Sequence, residues 1–225
     1  MEQSSSVASK FYLITNKGVE RRSIFNSKDD YDRFTGYLYL LNDRDNPRAA
    51  NFFLKRGNRS ELFSSSRFEQ LVSIGAYSLL PDQFYLLLSP LSPDGISKFM
   101  QKLQTAYTMF FNRKYSREGV LFQGSYRLRE LVSVNELEHT FAFVHLSPAV
   151  LFEKNWETLE GHKFHYYVSA ALEYKYSSAG EFLERRPVIT SPGSFPKQFS
   201  KITDRHDFTT FWKSEYIRAD RHRTN

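Results

Sequence analysis

The sequence predicts an α+β domain, a mostly antiparallel sheet with helices packed against it. Three observations predict it: a central pair of apolar runs split by Pro81-Asp82, one long amphipathic helix, and flanking strand and helix signals in alternation. Residues 10–15 (KFYLIT) are apolar and aromatic enough for a strand, and 16–18 (NKG) supply a turn. Ser27 and Asp30 have capping-box spacing. They open a helix to residue 41 on which Tyr31, Phe34, Leu38 and Leu41 recur at three- and four-residue steps. Residues 42–66 are polar, basic and rich in turn formers, an excursion with one short strand expected in NFFLK.

The runs 72–80 (VSIGAYSLL) and 83–89 (QFYLLLS) read as a hairpin at the sheet centre. From 95 to 115, Ile96, Phe99, Met100, Leu103, Tyr107 and Phe110 mark one helix face. Residues 126–132 (YRLRELV) alternate as a half-buried strand does. Ser133 and Glu136 then open a helix carrying Leu137, Phe141 and Val144, ended near Pro148. Beyond Trp156 the chain is aromatic and basic but weakly periodic, with helices expected in 166–176 and 208–216. Residues 151–225 are therefore read as an extension packed on a main domain of residues 1–150.

Composition narrows the function classes. The 225 residues include 21 Phe and 14 Tyr, enough for a core, and no Cys, which removes disulfides, thiolate zinc sites and a Cys nucleophile. The opening MEQSSSVASK has no apolar run, so no secretory signal is expected, and nothing approaches the length of a membrane span. A net charge of +6 favours an anionic partner, and basic residues cluster. Lys17, Arg21 and Arg22 follow the first strand, and Lys55, Arg56 and Arg59 lie in the excursion. Arg113, Lys114 and Arg117 close the long helix, and Arg127 and Arg129 share one face of a strand. No Walker loop or nucleophile elbow is present. His162 and His165 lack a third ligand, and His139 and His145, six apart, do not share a helix face. No metal or cofactor is expected.

Several motifs, in order, resemble the single-tyrosine HUH transposases, especially the REP-associated type. They are Thr15-Asn16-Lys17-Gly18; Leu80-Pro81-Asp82-Gln83-Phe84-Tyr85-Leu86-Leu87; Gly95-Ile96-Ser97; Phe111-Asn112-Arg113-Lys114-Tyr115; and Gly119-Val120-Leu121-Phe122-Gln123-Gly124-Ser125-Tyr126-Arg127. The resemblance covers residues 10–150 and, more faintly, 174–212. It implies a ferredoxin- or RRM-like sheet with helices on one face, a DNA-hairpin partner, a bacterial cytoplasmic location at the nucleoid, and a homodimer.

The resemblance also implies where chemistry would sit. In the family two histidines around one hydrophobic residue bind a divalent metal, a tyrosine on the next helix attacks the DNA phosphate, and a polar residue four positions on completes the metal shell. Here those positions are Gln83, Tyr85, Phe143 and Ser147. Without imidazole or carboxylate a hard cation is held poorly, and phenylalanine has no nucleophilic oxygen. The expectation is a nuclease-dead DNA-binding protein, a regulator of transcription whose Lys17, Arg21, Arg22, Arg113, Lys114, Arg117, Arg127 and Arg129 contact nucleic acid. An RNA-hairpin binder acting after transcription, an interaction module and a surviving nuclease are the other readings.

Overall fold

The computed structural model describes residues 10–44, 63, 69–202 and 204–219. The strand expected in NFFLK and the cluster Lys55, Arg56 and Arg59 lie outside them. The order β1 (Phe11–Lys17), α1 (Lys28–Leu40), β2 (Val72–Leu80), β3 (Gln83–Pro90), α2 (Gly95–Lys114), β4 (Arg127–Leu131) is the ferredoxin-like repeat. Its four-stranded sheet runs β2-β3-β1-β4, antiparallel at every pairing. Then come α3 (Val134–Leu146), α4 (Gly161–Leu172), α5 (Ala179–Leu183) and α6 (Arg205–Ala219).

The period-2 pattern of the strands sorts residues between two cores. Tyr12, Ile14, Phe84, Leu86, Leu88 and Tyr77 face α1 and α2, where Phe34, Leu38, Phe99, Leu103 and Tyr107 complete one cluster. Both helices expected on one face are there. Leu13, Ala76, Leu87 and Leu131 point the other way, into a second cluster with Phe141 of α3, Phe164 and Val168 of α4, and Phe208 and Trp212 of α6. The sheet is thus covered on both faces, which explains why β2 is buried along its whole length and reads as a continuous apolar run.

An edge strand leaves backbone groups unpaired, and here the chain beyond α4 covers the outer edge of β2. Leu79 N–H donates to Tyr176 O (2.9 Å), Ser178 N–H to Tyr77 O (2.9 Å) and Ser191 N–H to Ile74 O (2.8 Å). A bulge interrupts β2 between Ile74 and Ala76. Gly75 sits there because a Cβ would come within 2.4 Å of the Phe195 ring. His145 locks the same region to α3. Its Nδ1 lies 2.9 Å from Phe141 O, so that nitrogen carries the proton, and Nε2 accepts from Ser178 Oγ at 2.8 Å. Burial pushes the imidazole pKa down to about 3, and the Phe141 bond only partly opposes it. The other histidine of α3, His139, stacks on Trp212, centroids 4.9 Å apart. Among the described residues no helix is long and apolar enough to cross a membrane.

Candidate nucleic-acid interface

At the C-terminal end of β1 the segment after α2 folds back onto the sheet. Val19 N–H donates to Leu121 O (3.0 Å), Gln123 N–H to Lys17 O (2.8 Å), and Asn16 Nδ2 to Gly124 O (3.3 Å). Register then decides which side chains meet. Thr15 pairs with both Tyr85 and Arg127, and Lys17 with Gln83, so these five share the face opposite α1 and α2. With Asn16 and Gln123 they line a cavity of about 320 Å³. Among the described residues the lining contains two cations, three carboxamides, a phenol and a hydroxyl, with no carboxylate or imidazole. Burial first, then the nearby Asp82 and Glu157, pushes the Tyr85 phenol up to about 12, so it stays protonated and neutral. Such a set attracts phosphate and offers donors and acceptors to base edges.

The four positions singled out for lost chemistry lie on this same face. Tyr85 and Phe143 pack edge to face with centroids 5.1 Å apart. Gln83 is two residues from Tyr85 and lines the cavity with it. Ser147 is buried, its Oγ 3.0 Å from Val144 O and 3.2 Å from Ser78 Oγ, and Ser78 is the register partner of Tyr85. Trp212 of α6 stacks over Phe143 at 6.4 Å. Among the described residues no three His, Asp or Glu side chains gather as a metal site.

The basic residues divide into unequal groups. Lys17 and Arg127 line the cavity, and neither forms an ion pair among the described residues. Arg21 and Arg113 are exposed but do not line it. Arg129 shares the face of Arg127, as its spacing implies, yet its guanidinium is bound to the Glu136 carboxylate and donates to Thr140 Oγ1 at 3.1 Å. It tethers β4 to α3. Lys114 is also committed, donating to Asp29 (2.8 Å), Asp30 (2.7 Å) and Ser27 Oγ (2.8 Å). Burial works against its charge, but the two carboxylates raise its pKa. Asp30 is fully buried. Burial favours its neutral form, but hydrogen bonds from Lys114, Tyr115 and the Asn26 backbone outweigh that and hold it below the ordinary carboxylate range.

Arg129 and Lys114 are both engaged by carboxylates within the fold, which sets them apart from Lys17 and Arg127. A sequence shows that Lys114 is basic, but not that the start of α1 supplies its partners. The cavity residues Thr15, Asn16 and Gln123 were missed as site residues. All three stand inside the family-like motifs, and that was the available signal.

No known protein-family profile matches the chain, and no curated protein sequence matches it. Among solved structures it is similar to a REP-associated tyrosine transposase bound to a REP hairpin. The TM-score is 0.51 with 12% identity, over 87% of this chain and 93% of that one. At that identity the likeness is one of fold. It spans most of both chains, and coverage that high takes in at least part of the region beyond α3.

Proposed function

We propose that this chain is a transposase-derived protein that binds a nucleic-acid hairpin or specific DNA site without cutting it, and that it regulates transcription. One observation carries the reading. The cavity beside the positions that would do transposase chemistry offers Lys17, Arg127 and carboxamides, while Phe143 and Gln83 supply neither nucleophile nor imidazole. The fold it shares with a hairpin-bound transposase supports the choice of partner. Phosphate contacts position the ligand, and the amides of Gln83 and Gln123 read unpaired base edges.

The deciding experiment is a salt titration of binding to a DNA hairpin, a DNA duplex and an RNA hairpin. Tight, steeply salt-dependent binding to the DNA hairpin supports the proposal. Preference for the RNA hairpin moves the protein to post-transcriptional control. Binding to none of the three at low salt makes it an interaction module.

A further inference from the structure

Arg22 and Arg117 stand on adjoining segments, each directly after backbone that L-residues rarely adopt. Arg22 follows Glu20 and Arg21, both left-handed (φ 54° and 58°), and Arg117 follows Ser116 (φ 49°). The Arg22 stem lies across Gly18, where a Cβ would sit 2.9 Å from Arg22 Cγ and 2.1 Å from its carbonyl oxygen. Arg117 is fixed in place. Its N–H donates to Asn112 O (2.8 Å), its Nη1 to Asn112 Oδ1 (3.1 Å), and its guanidinium sits 5.7 Å from the Phe111 ring centroid. Asn112 is itself anchored to Gly119 O at 2.8 Å. The Val19–Leu121 backbone bond joins the two segments.

Among the described residues no carboxylate answers this pair of charges. Neither arginine forms an ion pair among the described residues, and Arg22 Nε is buried with no hydrogen-bond partner. Burial and then the charge of Arg22 lower the Arg117 pKa, so the two side chains repel each other. Lys114, by contrast, is held by the carboxylates of Asp29 and Asp30. Strain and repulsion held without a carboxylate mark a place kept for an external anion.

We propose that Arg22 and Arg117 form a clamp for one phosphate group. Under the function proposed above, on which this assignment of the ligand rests, it is a backbone phosphate of the strand entering the cavity. Gly18, beneath Arg22, directly follows the cavity residue Lys17.

The test compares the full-length protein with Arg22→Gln, Arg117→Gln and the double variant, all checked for fold by circular dichroism. Inorganic phosphate, exchanged for chloride at constant ionic strength, should raise the melting temperature of the parent and of none of the variants. Equal rises in all four proteins would overturn the clamp. With a DNA hairpin each single variant should lose about tenfold in affinity. The double variant should lose little more, because both arginines grip one group. The salt slope should drop by about one in every variant. Additive losses would mean two separate contacts and would also overturn it. Arg22→Lys should keep the slope but bind more weakly, lacking the planar fork.

Two results separate the clamp from the function. If the variants lose the phosphate response but bind the hairpin unchanged, the ligand is a free phosphate compound and not the strand. If the parent binds no hairpin while the phosphate response is still lost in the variants, hairpin binding fails and the clamp stands.

Discussion

The Tyr85 ring meets the Phe143 ring edge to face, centroids 5.1 Å apart and planes at 84°, in the gap between β3 and α3. Such a contact contributes about 0.5–1.5 kcal/mol beyond area burial, so these aromatics act as packing residues in a place where the family resemblance implies a metal ligand and a nucleophile. The expected outcome with Mg²⁺ or Mn²⁺ is neither nicking of single-stranded DNA nor a covalent adduct on denaturing gels. Phe143→Tyr restores a hydroxyl but leaves Gln83 and Tyr85 without metal affinity, so it should be silent as well. A reproducible adduct from the parent protein would refute the nuclease-dead reading.

Lys114 should matter to stability and not to nucleic acid. Removing it takes the cation from Asp30, a fully buried carboxylate that keeps its bonds from Tyr115 and the Asn26 and Ser27 backbone, and loss of such a charged hydrogen bond costs about 1.5–3 kcal/mol. Lys114→Ala should therefore lower the urea midpoint markedly, while hairpin affinity of the folded fraction stays unchanged. Acid should weaken the parent for the same reason. The Asp30 pKa is depressed in the fold, so its contribution is present above the unfolded carboxylate pKa and is lost as pH falls through the folded value.

His145 gives a second pH dependence with a separate window. Its folded pKa is about 3, against about 6.5 when unfolded, so below pH 6.5 the unfolded chain binds a proton that the fold excludes. Stability should fall by about 1.4 kcal/mol per pH unit once pH is well under 6.5, until it reaches about 3. Urea titrations of the parent and His145→Gln between pH 7 and about 5, above the main carboxylate range, isolate this term. The variant should be less stable at pH 7, because the buried bond between the imidazole and Ser178 Oγ is lost, and should show the shallower slope. Parallel pH profiles would mean His145 is not held neutral.

Much of the fold was legible because its signals are local. The hairpin 72–80 and 83–89 emerges as Val72–Leu80 and Gln83–Pro90, and the helices expected at 27–41 and 95–115 as Lys28–Leu40 and Gly95–Lys114. Pro81-Asp82, apolar spacing and the caps carry those boundaries. Ser133 Oγ does accept from Glu136 N–H, at 3.1 Å. The C-terminal region was less readable. Helices expected at 166–176 and 208–216 are Gly161–Leu172 and Arg205–Ala219, and the short Ala179–Leu183 was unforeseen. Their apolar faces answer to a sheet far away in sequence, so local periodicity is weak. The site divides the same way. Strand period put Arg127 and Arg129 on one face, but the carboxylate that occupies Arg129 arrives from α3, a relation no spacing along β4 contains.

That difference between the two arginines gives the last prediction. Arg127 is exposed, lines the cavity and is unpaired among the described residues, so an approaching phosphate finds its fork free. Arg127→Ala should weaken hairpin binding and reduce the salt slope by about one, with the melting temperature unchanged. Arg129 already serves Glu136 and Thr140, and Glu136 also accepts from Val132 N–H at 3.0 Å beside the start of α3. Arg129→Ala should therefore cost stability, about 0.5–1 kcal/mol for a largely exposed pair, and leave the salt slope intact. Measuring the two single variants side by side matters more than the double, which would merge a binding effect with a folding effect. An intact slope in Arg127→Ala together with a reduced one in Arg129→Ala would show that nucleic acid displaces the Glu136 tether and approaches along β4, away from the cavity.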